Sequence, residues 1–88
     1  MKVYRENIEL SEKDKAYFEN NEYGLKLTGE ALRFEHETGE SHTFAVFKGE
    51  WTPHGYIRDC GDHYIKACYS CHLRIDKDTL DVRLSDDR

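Results

Sequence analysis

Long apolar runs are missing from this chain. No stretch of its 88 residues approaches the roughly 20 consecutive apolar positions that a bilayer span requires. The opening residues, MKVYRENIELSEKDK, contain no apolar signal-peptide core. Both absences predict a cytoplasmic protein with no membrane partner. Basic tails and basic runs are also missing, which disfavours a direct grip on nucleic-acid phosphates. Phosphate loops of the Gly-x-Gly-x-x-Gly kind do not occur. Cysteine is scarce and odd in number, three residues in all, which fits a reducing compartment better than a disulfide framework. With one proline, no repeat and no low-complexity linker, residues 1–88 read as a single domain.

Hydrophobic residues supply 38% of the chain and charged residues 35%, a balance that by itself allows disorder. The apolar residues argue otherwise. Six Tyr, four Phe and one Trp gather with Leu, Ile and Val in short runs bounded by Gly, Asn and Asp, and disordered chains are poor in these types. The net charge of −5 is spread evenly along the chain. An acidic balance serves solubility and also suits a protein that meets a basic partner surface.

Residues 2–9 read as a short strand or an extended lead-in. Ser11 then opens a helical stretch: it is a good N-cap, and Asp14 three residues on resembles a capping box. Leu10, Asp14, Tyr17 and Phe18 share one side at helical spacing, and Asn20 and Asn21 end the helix. From Tyr23 the period changes to two. Leu25 and Leu27 alternate with Lys26, Thr28-Gly29-Glu30 offers a turn, and Leu32 and Phe34 alternate with Arg33 and Glu35. A second turn is expected at Thr38-Gly39-Glu40-Ser41, followed by Phe44 and Val46 on one face with Thr43, Ala45 and Phe47 on the other. Such spacing predicts an antiparallel meander. Trp51, Pro53, Gly55 and Gly61 interrupt any period in the next segment, which leaves a short strand around Tyr56–Arg58.

Cys68-x-x-Cys71-His72 carries the letters of a haem c attachment site, or of half a zinc site. The period-two alternation around it is the strongest local signal in the chain. Ile65, Ala67, Tyr69, Cys71, Leu73 and Ile75 form one set; Tyr64, Lys66, Cys68, Ser70, His72 and Arg74 form the other. This predicts one long strand from His63 to Asp76, a turn over residues 76–79 and a returning strand with Leu80, Val82 and Leu84. In a strand, residues three apart face opposite ways, so Cys68 and Cys71 are expected on opposite sides and no cofactor is assigned. Cys60, His63 and His54 remain as a metal alternative with Cys68. The turn RDCGDH, with Cys60 beside Asp59, Asp62 and His63, is the best catalytic candidate, although a turn rich in Asp and Gly needs no such explanation.

The fold expected is α+β: a short N-terminal helix packed on an antiparallel meander sheet of about five strands. A small all-β barrel-like sheet is the alternative. The leading function is a small acidic protein-binding module, an inhibitor or neutralising protein of the immunity or phage anti-defence kind. Trp51, Tyr56 and His54 would anchor it, since Trp and Tyr dominate interface hot spots. Glu35, Glu37, Glu40 and Glu50 would steer it to a basic protein surface. A metal-binding domain using Cys60, Cys68 and nearby His is the first alternative, and a small enzyme or ligand binder with the Cys60–His63 turn at its pocket is the second. An edge strand over residues 79–85 offers a route to a homodimer.

Overall fold

A computed structural model of the protein describes residues 1–86. The elements follow in the order β1 (Lys2–Asn7), α1 (Glu12–Glu19), β2 (Lys26–Glu35), β3 (Ser41–Lys48), β4 (Ile57–Asp59), β5 (His63–Ala67), β6 (His72–Asp76) and β7 (Val82–Ser85). The seven strands lie in sequence order in one sheet, which curls into a half-barrel. Neighbours are antiparallel except β3 and β4, which run parallel with Val46 opposite Ile57 and Phe47 opposite Arg58. The α+β class therefore holds, with seven strands in place of five.

Three local events account for the difference. The expected turn at Thr28-Gly29-Glu30 is a bulge. Gly29 takes φ +87°, yet Leu27 and Ala31 both still pair with β3, opposite Phe47 and Ala45. A glycine at positive φ serves a bulge as well as a turn, and here the strand bends without reversing. Next, residues 49–56 cross over instead of turning back, which creates the parallel step into β4. Finally, the expected long strand over 63–76 folds back on itself at Cys68–Cys71. The Cys68 amide donates to the Cys71 carbonyl at 2.8 Å, and Ala67 and His63 pair with His72 and Asp76. Tyr69 and Ser70 form the reversal, so residue parity is exchanged across it. Tyr64 now shares a face with Ile75, and Ile65 shares one with Arg74.

The core lies on the face that carries Leu32, Phe34, Val46, Ile57, Tyr64 and Ile75. Val3, Phe44, Leu80 and Val82 pack against it from both ends of the sheet. The other face also buries residues, among them Ala31, Phe47, Ile65 and Ala67. Segment 49–56 covers part of it: Arg58, which points opposite to Ile57, donates from Nε to Thr52 Oγ1 at 2.8 Å, and Thr52 and Pro53 are buried. Gly49 allows this close approach, because a Cβ there would collide with the buried Leu25 side chain.

Helix α1 begins as expected, with Ser11 Oγ accepting from the Asp14 amide at 3.2 Å. It does not bury a stripe: none of its residues is buried. The segment EKDKAYFE holds too few apolar residues to make one. The expected edge strand over 79–85 shortens to Val82–Ser85. Leu80 sits at φ +60° in a turn, donates to the Asp76 carbonyl at 2.8 Å, and places its side chain against the core. Among the described residues, no helix is long and apolar enough to cross a membrane.

Tyr64 is the polar centre of the core face. It is fully buried, and its hydroxyl donates to Glu30 Oε2 at 2.9 Å. Arg5 and Lys77 lie 5.7 and 5.1 Å from its ring centroid. The Arg5 guanidinium also donates to the Lys77 carbonyl, and Lys77 Nζ is 2.8 Å from Asp59 Oδ1. Burial first, then the Glu30 hydrogen bond and charge, push the Tyr64 phenol up to about 12 from 10.0. This raised value means that Tyr64 contributes stability fully below pH 10 and loses it as pH rises through about 12. In an alkaline titration followed by phenolate absorbance, one tyrosine should ionise last, and Tyr64→Phe should remove that step.

Candidate functional site

The sequence places three kinds of residue near one another in the fold: aromatics on α1, aromatics after it, and the irregular segment behind β3. Between them lies a groove of about 820 Å³. It is lined by Tyr17 and Phe18 of α1, by Tyr23 after it, by Phe47 of β3, and by His54 and Tyr56. The rings interlock edge to face. Tyr23 lies 5.4 Å from Trp51 and 5.6 Å from Tyr56, and Tyr56 lies 5.1 Å from Phe47. Tyr17 and Phe18 touch each other at 5.5 Å. Trp51 is 48% exposed and Tyr17 76%, so large apolar surface faces solvent around the groove.

One asparagine holds this geometry. Asn21 Nδ2 donates to the Phe18 and Leu25 carbonyls at 2.8 and 3.0 Å. Its Oδ1 accepts from the Tyr23 and Leu25 amides at 3.0 and 3.1 Å. Gly24 takes φ +68°, which lets the chain double back around that side chain. Leu25 is buried, so Asn21 ties an unburied helix to an anchored residue. Sequence reasoning took Asn21 for a helix stop and missed this role. It also missed Tyr17, Phe18, Tyr23 and Phe47 as groove residues. The signal was present in Tyr17-Phe18: their helix carries too few other apolar residues to bury two aromatics.

Of the expected anchors, Tyr56 and His54 line the groove, and Trp51 stands beside it through its edge-to-face contact with Tyr23. The acidic residues are not. Glu50 adjoins Trp51, whereas Glu35, Glu37 and Glu40 sit at the β2–β3 turn, where Glu35 pairs with Ser41. That turn lies at the far end of β3, roughly 20 Å from Trp51 along the strand. At the groove itself the formal charge is the Glu22 carboxylate, with no Lys or Arg among the described lining residues. Its hydrogen bond to the Tyr23 hydroxyl, then its charge, raise that phenol above its ordinary value.

The turn RDCGDH is built as a turn. Asp59 Oδ1 accepts from the Gly61 amide at 2.9 Å, Gly61 takes φ +99°, and the Cys60 amide donates to the His63 carbonyl at 2.9 Å. His63 Nδ1 lies 2.6 Å from Asp62 Oδ1, which lowers the Asp62 carboxyl. Cys60 Sγ approaches the Arg58 carbonyl at 3.9 Å. Neither Cys60 nor His63 lines the aromatic groove. Among the described residues, no three His, Cys, Asp or Glu side chains converge to hold a metal ion; Cys60, Cys68 and a histidine therefore do not form a ligand set in this arrangement.

No protein-family model, no curated protein and no solved structure matches the chain.

Two measurements check this geometry. Asn21→Ala removes four hydrogen bonds around Leu25 and should cost about 2 kcal/mol in a urea unfolding series, with Trp51 emission shifting as its packing on Tyr23 loosens. Burial acts to raise the Asp59 carboxyl, but the Lys77 hydrogen bond, the Gly61 amide and the Lys77 and Lys48 charges outweigh it and hold it below 3.8. Its contribution is complete above pH 3.8 and is lost as pH falls through the lower folded value. Asp59→Asn should flatten that acid branch of the stability profile.

Proposed function

We propose that this protein is a small binding module that captures a basic protein partner through the aromatic groove. The observation that carries the reading is the interlocked cluster Phe47–Tyr56–Tyr23–Trp51 with a single carboxylate, Glu22, at its edge. Aromatic faces attract arginine and lysine head groups, and more strongly as water is displaced. A carboxylate beside them pairs with the same cation. Trp and Tyr are the residues that most often dominate binding energy when they seat in a pocket.

The occupant best suited to this chemistry is a partner loop with an arginine or lysine flanked by an apolar side chain. The overall charge of −5 accelerates its approach in a salt-dependent way. Glu35, Glu37 and Glu40 contribute to that long-range field from the far end of β3, and Glu50 from beside the anchor. The consequence for the partner is occlusion of its basic surface, the mode of action of inhibitors and immunity-type proteins.

Trp51 is the only tryptophan and packs on the groove residue Tyr23, so its emission reports groove occupancy through that contact. A short peptide with leucine between two arginines should shift that emission, and the same peptide with glutamates should not. Affinity for the arginine peptide should fall about tenfold between low and physiological salt. Glu22→Gln should weaken it at an unchanged thermal midpoint, and Tyr56→Ala should weaken it with a lowered midpoint, because that ring also packs on Phe47 and Tyr23. Affinity capture from lysate should then return a basic protein with the wild-type chain and lose it with the Trp51→Ala, Tyr56→Ala pair. Equal capture by both chains, or no response to the arginine peptide, would remove the groove as the binding site.

A further inference from the structure

We propose that Cys68 and Cys71 form a thiol–disulfide exchange site at the tip of the β5–β6 hairpin, with the disulfide of a small thiol peptide as its electron acceptor. The fold brings the two sulfurs together. Cys68 and Cys71 are the closing pair of the hairpin, joined by the 2.8 Å bond from the Cys68 amide to the Cys71 carbonyl. Residues directly opposite in an antiparallel pair send their side chains to one face. Their α-carbons then stand about 5.5 Å apart, inside the roughly 4.4–6.8 Å window of disulfides. Beside that geometry, burial first, then a hydrogen bond to Cys68 and its charge, raise the Cys71 thiol, with Lys66 acting against them.

The surroundings favour exchange over metal binding. Lys66 Nζ lies 3.8 Å from Cys68 Sγ, where an ammonium stabilises a thiolate and repels a metal cation. Two sulfurs are also half of the usual four-ligand zinc set, and no third ligand converges on them among the described residues. The site is accessible, since Tyr69 between the cysteines is 94% exposed and Ser70 is exposed. A disulfide here closes a very short loop, which constrains the unfolded chain little. Exposed disulfides of this kind are exchangeable, not structural.

The chemistry balances in two steps. The Cys68 thiolate attacks one sulfur of the acceptor disulfide, breaks its S–S bond and releases one thiolate, which leaves a mixed disulfide on Cys68. Cys71 loses its proton to that released thiolate and attacks the Cys68 sulfur, expelling the second thiolate, which is protonated by water. Two protein thiols are oxidised by two electrons to one disulfide, and the acceptor is reduced to two thiols. Tyr69 stacks on His54 with ring centroids 4.0 Å apart, and His54 lines the aromatic groove. The redox site thus adjoins the groove but does not depend on it.

The test uses the full chain in glutathione buffers of stepped oxidised fraction, quenched in acid, alkylated and digested with trypsin. Cleavage after Lys66 and Arg74 isolates both cysteines in peptide 67–74, and Cys60 falls in peptide 59–66. The expected result is peptide 67–74 two hydrogens lighter and unalkylated, while Cys60 is still alkylated. Cys71→Ser should stall as a glutathione adduct on Cys68. Lys66→Gln, which joins the two peptides into 59–74 and is therefore followed in a Cys60→Ser background, should slow the reaction by roughly threefold to tenfold, while Lys66→Arg, which keeps the charge, and Cys60→Ser alone should not slow it. Full alkylation of peptide 67–74 under oxidising conditions, a disulfide to Cys60, an unchanged rate in Lys66→Gln, or stoichiometric zinc retained by the purified chain would each overturn the proposal. Arginine-peptide binding at the groove is read separately, so either proposal can fail alone.

Discussion

A buried phenol with a charged acceptor is the constraint on which the sheet turns. Tyr64 lies fully inside the curl, and its hydroxyl needs Glu30 as a partner. A hydrogen bond to a charged group contributes about 1.5–3 kcal/mol, and a buried hydroxyl without one costs about as much. Two cations approach the same ring as this half-buried carboxylate, Arg5 from β1 and Lys77 from the β6–β7 turn. Lys77 is neutralised by Asp59 at the end of β4. Five side chains from five parts of the chain therefore meet around one ring, and a sheet with a different curl would leave the buried Tyr64 hydroxyl without its partner. Apolar packing by Leu32, Phe34, Val46, Ile57 and Ile75 supplies most of the burial around them, but packing is non-directional. The polar network selects which curl that packing adopts.

With the core satisfied by the sheet, the helix is left free of structural duty. No residue of α1 is buried, and its aromatics stand against solvent. Asn21 and the buried Leu25 fix its end, so its exposed rings are held in place with little contact to the sheet. That combination suits a recognition surface: rigid where it joins the fold and open where a partner would meet it.

The parts of this arrangement that follow local rules were legible from residue order. Ser11 and Asp14 marked the helix start, Gly39 marked a turn that exists at φ +90°, and Phe44 to Phe47 alternated as β3 does. Trp51, His54 and Tyr56 were picked out together because large aromatics sat in a Pro- and Gly-punctuated segment, and the fold sets Trp51 and Tyr56 on either side of Tyr23. The hairpin at Cys68–Cys71 was hidden for a physical reason. Cys68-Tyr69-Ser70-Cys71 contains no Gly, Asn or Pro, so the usual turn chemistry is absent. Because both sheet faces bury apolar residues, the alternation continued across the reversal without a visible break. Glu35, Glu37 and Glu40 were grouped with Trp51 for their negative charge, and the length of β3 sets them at its far end. The Tyr64 network was out of reach, since its members lie as far apart in the chain as Arg5 and Lys77.

That separation, 72 residues between the Arg5 guanidinium and the carbonyl it grips, has a consequence for biosynthesis. During translation the amino-terminal strand emerges early and has its β2 neighbour soon afterwards, but its second attachment does not exist until the β6–β7 turn has been made. Until then Tyr64 has a cation on one side only, and the open margin of the sheet is exposed to other nascent chains. Contacts that join distant parts of a chain are slow to form because loop closure comes first. The sheet therefore closes on this side only after the β6–β7 turn is in place.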